Sequence, residues 1–176
     1  MRLLNGYTLI EMMIVVATIG ILAVIALPPL SSGNPVKLDL AAAEIAAAAR
    51  FARTEAIRTG TAHGINTSNI NERVRVYSKP GLLPNYDVRH PVDKKLYDIA
   101  LDDDSRMAGV DLSSASFNFE GSFSSSSYLG FSAEGIPKYS VLGTDYMLQN
   151  ASITLTMGND QRVVVVEPMT GRVSIQ

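Results

Sequence analysis

A single carboxylate lies at the edge of the most apolar segment of this sequence. Residues 12–27 read MMIVVATIGILAVIAL, without one charged side chain, and Glu11 directly precedes them within a longer apolar stretch. An ionised carboxylate in apolar surroundings costs several kcal/mol unless it is paired or reaches water. The position of Glu11 therefore predicts either a positively charged partner or a location near a membrane interface.

The segment around Glu11 has the length of a membrane-spanning helix, about twenty residues when its apolar flanks are counted. A secretory signal peptide carries a small-residue cleavage site after its apolar run, but residues 27–30 here read LPPL. The small residue instead precedes the run, as Gly6 in the leader MRLLNG, whose one charged side chain is Arg2. Cleavage after Gly6 would leave the whole apolar helix on the mature protein.

Such a cleavage would supply a positive charge for Glu11. Removal of residues 1–6 exposes a free α-amino group on Tyr7, and in axially staggered helices a neighbour's ammonium would approach Glu11 in a low-dielectric setting. Each pair would neutralise two buried charges and fix the register. The alternative is an ordinary signal anchor in which Glu11 extends to water from one turn inside the interface. That alternative explains the charge but not the Gly6–Tyr7 pattern.

The residues around this candidate cleavage site resemble a known processing signal. Gly6-Tyr7-Thr8-Leu9-Ile10-Glu11, followed by an apolar helix and Pro28, is similar to the class III signal of type IV pilins, type II secretion pseudopilins and minor pilins. In that family a prepilin peptidase cleaves after the glycine and methylates the new N-terminal residue, here Tyr7, where phenylalanine is commoner. The resemblance implies that Glu11 promotes assembly. Pro28 falls where family members bend the helix, because proline removes a backbone donor and clashes with the preceding turn.

The remaining sequence predicts a second helix and then a β-rich domain. Apolar residues recur at helical spacing over residues 36–58, and Gly60 is a plausible stop. We expect a leader at 1–6, a transmembrane assembly helix at 7–30, an amphipathic joining helix at 31–60 and a β-rich periplasmic head at 61–176. The helical face predicted to pack under the sheet consists of Leu38, Ala41, Ile45, Ala48, Ala52 and Ala56. Strands are predicted near 62–65, 73–77, 97–101, 116–119, 128–131, 151–157, 162–166 and 172–175.

The C-terminal half extends the resemblance to nearly the whole chain. Leu129-Gly130-Phe131 with Gly135, the paired strands over 151–166 and the ending Gly171-Arg172-Val173-Ser174-Ile175 resemble the GspH/FimT branch of pseudopilins and minor pilins. The resemblance implies an α+β fold, with a long N-terminal membrane-spanning helix packed on a β-sandwich-like head of two antiparallel sheets. It also implies an inner-membrane location and three kinds of partner: other pilins or pseudopilins, the prepilin peptidase and an inner-membrane assembly platform.

Three functions remain open at this point. The first is a minor pseudopilin of a type II secretion filament, and the second is a type IV minor pilin that primes assembly or takes up DNA. The third is a single-span membrane-anchored periplasmic binding module. DNA-binding relatives resemble a G-R-x-R ending, whereas this chain reads Gly171-Arg172-Val173-Ser174 and lacks the second arginine. Arg73, Arg75, Arg162 and Arg172 are weak candidates for phosphate contacts, and with a net charge of −2 we expect nucleic acid to bind weakly or not at all.

The composition argues against catalysis and against a bound cofactor. The chain has no cysteine, and its two histidines, His63 and His90, lack companions at metal-ligand spacing. No nucleophile elbow, phosphate-binding glycine loop or dinucleotide fingerprint occurs. The acidic run at residues 102–104 is better interpreted as a loop than as a cluster of metal ligands. We therefore expect a structural protein with no enzymatic activity, no cofactor and no metal.

Overall fold

The computed structural model describes residues 8–26, 33–79, 81, 83–121, 126–141 and 143–176. The chain divides into two units, Met1–Gly33 and Asn34–Gln176. Within the described residues there are two helices, α1 at Leu9–Ala26 and α2 at Gly33–Thr59. The strands are β1 at Ala62–Ser68, β2 at Arg73–Lys79, β3 at Asp98–Ala100, β4 at Asp111–Phe119, β5 at Tyr128–Phe131, β6 at Pro137–Val141, β7 at Thr144–Met157, β8 at Asp160–Val166 and β9 at Val173–Ile175.

Helix α2 forms because alanine favours helix and because its apolar residues share one face. All six residues predicted for that face are fully buried, which confirms the expectation. Alanine side chains are small, so the helix backbone approaches the sheet closely. The helix ends before Gly60, whose φ of +66° lies in the left-handed region that favours glycine.

The strands form one continuous antiparallel sheet. Its order is β3-β2-β1-β5-β6-β7-β8-β9, and β4 pairs with β7 outside this path. The long strand β7 pairs with β6 over its first residues and with β4 and β8 over the remainder. The prediction of two antiparallel sheets is therefore correct about strand direction, but the two groups of strands share β7 rather than standing apart.

Helix α2 lies against both ends of this sheet. The Phe51 ring is 5.2 Å from the Tyr97 ring, next to β3, and Arg50 Nη2 donates a hydrogen bond of 3.0 Å to Val173 O on β9. Because β3 and β9 are the first and last strands of the order, the sheet curls around α2. Fully buried side chains from the strands complete the core, among them Ile65, Val74, Val76, Phe117, Leu129, Phe131, Ile153 and Leu155.

Strand β6 and the first half of β7 were not predicted. Strand β6 begins with Pro137 and Lys138, and residues 144–150 read TDYMLQN, without a clear alternation of apolar and polar positions. Cross-strand contacts hold this region together instead: Asp145 accepts hydrogen bonds of 2.6 Å from both Lys138 Nζ and Ser140 Oγ. The predicted β7–β8 hairpin is confirmed, with Met157 opposite Asp160.

Candidate assembly helix and head surfaces

Helix α1 exposes apolar side chains on all sides. Every side chain described between residues 8 and 22 is exposed. An exposed surface with this many large apolar side chains requires lipid or protein to cover it. The exposed apolar residues are Leu9, Ile10, Met12, Met13, Ile14, Val15, Val16, Ile19, Ile21 and Leu22.

The predicted membrane span at residues 7–30 is not confirmed. In the part of the chain that the structure describes, no helix satisfies both the length and the apolar character of a bilayer crossing. Residues 7 and 27–30 lie outside the described residues, and so do the predicted cleavage site at Gly6–Tyr7 and the predicted bend at Pro28.

Glu11 lies in the first turn of α1, where Thr8 caps the helix. The Glu11 N–H is 3.3 Å from Thr8 Oγ1 and 3.1 Å from Thr8 O. A threonine followed three residues later by glutamate is the spacing of a capping box, a signal present in Thr8-Leu9-Ile10-Glu11 that the sequence analysis missed. The Glu11 carboxylate also lies near the positive end of the helix dipole. The bonds to Thr8 come from the backbone of Glu11, so the local effect of the carboxylate at the helix start is its position near the helix dipole, separate from its predicted role in assembly.

Three of the four candidate DNA-contacting arginines are engaged within the protein. Arg73 on β2 bonds to Asp98 Oδ2 at 2.9 Å and to Asp103 Oδ2 at 2.7 Å. The guanidinium carbon of Arg75 lies 4.8 Å from the centre of the Tyr86 ring. Arg162 Nε donates a bond of 2.6 Å to Asp39 Oδ1 of α2.

The fourth candidate, Arg172, lies apart from these three. It is exposed in the turn between β8 and β9, whereas Arg73 and Arg75 lie on β2 and Arg162 lies on β8. Its cavity, at the end of α2, does not include any of the other three candidates. The structure therefore does not gather the four arginines into one basic surface.

The glycines of the C-terminal motif make room for an arginine of α2. Arg53 Nε donates a hydrogen bond of 3.1 Å to Gly135 O. Gly135 and Gly171 have φ values of +76° and +65°, and a Cβ on Gly171 would lie 3.0 Å from both Arg53 Nε and Gly135 O. Gly135 and Gly171 were noted in the sequence, but their contact with Arg53 was not predicted, since Arg53 and Gly135 are 82 positions apart.

Two other glycines make room for a buried tyrosine. Gly64 on β1 is paired with Gly130 on β5, and the Tyr77 side chain lies over both of them. Tyr77 is only 4% exposed, and its ring packs edge-on against Tyr86 and Tyr128. Burial raises the pKa of the Tyr77 hydroxyl well above its usual range, so this side chain is neutral at all physiological pH values.

Glu72 carries an unfavourable charge at the turn between β1 and β2. Its φ is +47°, and within the described residues its buried Oε2 has no hydrogen-bond partner. Burial raises the pKa of the Glu72 carboxyl, and the negative charges of Asp102 and Asp111 raise it further.

No three His, Asp or Glu side chains among the residues described are placed to hold a metal ion.

Glu72→Gln is expected to stabilise the protein at neutral pH. The pKa of Glu72 is higher in the folded protein than in the unfolded chain. The protonated Glu72 carboxyl therefore contributes to the stability of the fold, and this contribution is lost as the pH rises through the folded-state pKa. Removing the charge should raise the melting temperature by about 2–4 °C, the equivalent of ~1 kcal/mol, which is an upper value for a solvent-screened group. The gain should vanish below about pH 4, where the wild-type carboxyl is also protonated.

Thermal unfolding followed at several pH values measures this effect. Glu120→Gln is the matched control, because Glu120 is an exposed carboxylate at the end of β4. An equal gain from both variants would show that net charge, rather than the site of Glu72, is responsible. A gain from Glu72→Gln that persists at acidic pH would contradict the explanation.

Comparison with known protein families identifies the chain. A family model described as "Type II transport protein GspH" matches residues 41–170, from α2 to the turn before β9. The chain belongs to the GspH family. As a GspH-family protein it is a minor pseudopilin or minor pilin. Membership implies association with other pilins in a periplasmic filament anchored in the inner membrane.

Two solved structures of low sequence identity resemble this GspH-family chain. The minor pseudopilin EpsH from the Type 2 Secretion System of Vibrio cholerae has 14% identity and a TM-score of 0.49, with 80% of this chain and 96% of that chain covered. The type IV minor pilin FimU of Pseudomonas aeruginosa strain PAO1 has 18% identity and a TM-score of 0.47, with coverages of 84% and 92%. No curated protein sequence matches the chain.

Proposed function

We propose that this GspH-family chain is a minor pseudopilin of a type II secretion filament. The observation that carries the proposal is the match of residues 41–170 to the family described as type II transport protein. The chain is made with the leader 1–6, cleaved between Gly6 and Tyr7 by a prepilin peptidase and methylated on Tyr7. Its role is structural, without catalytic activity.

Assembly proceeds through α1. While the chain is anchored in the inner membrane, lipid covers the apolar residues of this helix, and in the filament neighbouring helices cover them. Burial is worth roughly 25 cal/mol per Å² relative to water. Since lipid is also apolar, this term keeps the subunit in the filament rather than driving it out of the membrane. An inner-membrane assembly platform supplies the work of extraction.

The register of assembly is set by charge. The Glu11 carboxylate pairs with the methylated α-amino group of Tyr7 on an adjacent subunit, and Pro28 bends the helix beyond the apolar run. The exposure of Glu11 at the first turn of α1 supports this role, because an exposed carboxylate is open to a partner. A pair buried between helices is strongly favoured over a single buried charge.

Intact-mass measurement of the protein purified from peptidase-competent cells tests the processing step. The expected mature chain lacks residues 1–6 and carries one added methyl group. Cells without the peptidase should yield the full chain. A mature protein that still begins at Met1 in competent cells would overturn the proposal.

Cross-linking in intact filaments tests the assignment to type II secretion. Mass spectrometry of the cross-linked neighbours should identify other pseudopilins of a secretion system. Neighbours from a pilus would replace this assignment with the minor pilin function. Binding of duplex DNA by the full chain in detergent would support a role in DNA uptake, which we do not expect because Arg73 and Arg162 are paired with carboxylates.

A further inference from the structure

Three arginines converge at the C-terminal end of α2. Arg50 and Arg53 lie on successive positions of one helix face, and Arg172 reaches the same place from the turn before β9. Between them is a cavity of about 320 Å³, open to solvent. The cavity is lined by Arg50, Arg53, Thr54, Gly171, Arg172 and Val173.

Backbone carbonyls fix two of these guanidinium groups in place. Arg50 Nη2 donates to Val173 O at 3.0 Å, and Arg53 Nε donates to Gly135 O at 3.1 Å. A guanidinium group has five N–H donors and no acceptor. These two bonds therefore orient the side chains and leave further donors directed at the cavity and at solvent.

The positive charge of the cavity is not neutralised within the described residues. No carboxylate lies within 4.0 Å of Arg50, Arg53 or Arg172 there. This differs from the pattern elsewhere in the protein, where most described arginines have an acidic partner. Those pairs are Arg58 with Glu55, Arg73 with Asp98, Arg89 with Asp87, Arg106 with Asp104 and Arg162 with Asp39.

Three exposed apolar side chains lie close in the chain to residues that line the cavity or bond to its arginines. Ile57, one turn after Arg53, is 51% exposed and packs against Gly135. Ile136 follows Gly135 and is 38% exposed. Met169 is 84% exposed. It lies in the turn in which the Gly171 N–H donates a hydrogen bond to Glu167 O. Arginine donors surrounded by apolar contacts are the composition typical of energetically important positions in protein interfaces.

We propose that this cavity is the docking site for an aspartate or glutamate side chain of an adjacent filament subunit. The inference rests on the proposed function, because it takes the partner to be a neighbouring pseudopilin. One carboxylate accepts paired hydrogen bonds from a guanidinium fork, and the apolar side chains beside it would cover Ile57, Ile136 and Met169. The contact selects the subunit that packs against the head, whereas α1 supplies non-selective apolar burial.

Charge around the cavity favours a protein carboxylate over a nucleic acid phosphate backbone. Nucleic acid is held by a positive stripe that follows several phosphates. Among the described residues, Arg73 and Arg162 are paired with carboxylates, and neither of them lines this cavity. The positive charge that has no carboxylate partner is therefore restricted to one cavity, which suits one anionic side chain.

Site-specific photo-cross-linking in assembled filaments tests the proposal. The full chain is made with p-benzoylphenylalanine in place of Thr54, an exposed residue of the cavity wall. The expected cross-link joins another filament subunit at a residue next to an Asp or Glu. Combining Arg50→Glu with Arg172→Glu should reduce the yield at least about tenfold, the effect of 1.4 kcal/mol. Changing the partner's carboxylate to arginine should restore it.

Two controls separate docking from folding. Arg89→Glu reverses an exposed charge on the loop before β3, and this variant should cross-link like the wild type. Arg172→Glu alone should lower the yield without changing the melting temperature, because Arg172 is exposed. Loss of cross-linking together with unfolding in both Arg172→Glu and the double variant would overturn the docking role in favour of a structural one.

A second cross-linker at Val16 of α1 distinguishes the two levels of inference. Cross-links from Val16 but none from Thr54 would overturn the docking site and leave the filament role intact. No cross-link to a filament subunit from either position would overturn the proposed function itself. A Thr54 cross-link that charge reversal does not weaken would overturn the carboxylate docking.

Duplex DNA of about 30 base pairs is the competing probe. Salt-sensitive binding of this duplex that is lost in the double variant would assign the cavity to phosphate instead.

Discussion

Gly64→Ala is expected to lower the melting temperature by about 10 °C, the equivalent of ~4 kcal/mol in a protein of this size. A Cβ at this position would lie 2.2 Å from Leu129 O and 2.6 Å from Tyr77 Oη. The first of these atoms belongs to the backbone of the paired strand β5, which cannot move without shifting Leu129 and Phe131, both fully buried. The cost therefore comes from displacing a core strand rather than from rotating a side chain.

Thermal unfolding of the full chain in detergent measures this effect. Gly81→Ala is the matched control, since its added Cβ meets nothing within 4 Å and its backbone has no positive φ. Adding Tyr77→Phe to Gly64→Ala removes the hydroxyl contact but leaves the contact with Leu129 O, so it should not restore stability. A Gly64→Ala protein that melts together with the control would contradict the close packing of β1 against β5.

Glu11→Ala is expected to reduce incorporation into filaments by about tenfold or more and to leave cleavage after Gly6 intact. Breaking a buried ion pair by removing one member costs ~3–5 kcal/mol, because the other charge stays buried without compensation. In the pairing that we propose, that remaining charge would be the α-amino group of Tyr7. The measurement is the fraction of the cleaved subunit that sediments with filaments sheared from cells, relative to the fraction left in the membrane.

Capping of α1 offers a different explanation for the same loss, and two further variants separate the explanations. Glutamine is also accepted at the third position of a capping box, so Glu11→Gln preserves the cap and removes only the charge. The ion-pair role requires Glu11→Gln to fail in the same way as Glu11→Ala. Thr8→Ala weakens the cap by ~1 kcal/mol while keeping the carboxylate, and it should be incorporated far better. The reverse order of these two variants would show that helix capping, not charge pairing, limits assembly.

Local signals in the sequence were sufficient for α2 and for the β7–β8 hairpin. The buried face of α2 follows from apolar residues at three- and four-residue spacing, and its end follows from Gly60. The hairpin follows from the alternating run at residues 153–157 and the valine-rich run at 162–166, which are separated by turn residues that include Gly158 and Asn159. Strand β6 could not be found in this way, because Pro137 and Lys138 are poor strand formers and the strand is stabilised by contacts with β5 and β7.

The candidate functional residues of α1 and of the arginine cavity differ in how well the sequence predicts them. Glu11 stands out in the sequence because a charge beside a long apolar run is costly wherever the chain folds. Arg50 and Arg53, by contrast, read as ordinary surface charges of a helix. Their meeting with Arg172 depends on the turn before β9 reaching the end of α2, which no local pattern specifies. The pairing of Arg73 with Asp98 and of Arg162 with Asp39 was likewise invisible in the sequence.

The amino-acid sequence by itself determined the apolar segment with its acidic residue and the β-rich character of the domain after Gly60, and it predicted a processing signal before the apolar segment. These properties depend on side-chain chemistry and on spacings of a few residues. Only the tertiary structure decided that one sheet curls around α2 and that Gly135 and Gly171 enclose Arg53. It also decided which of the described arginines have a carboxylate partner and which do not. Such contacts join residues separated by tens of positions, and their free energy exists only once the sheet has closed around the helix.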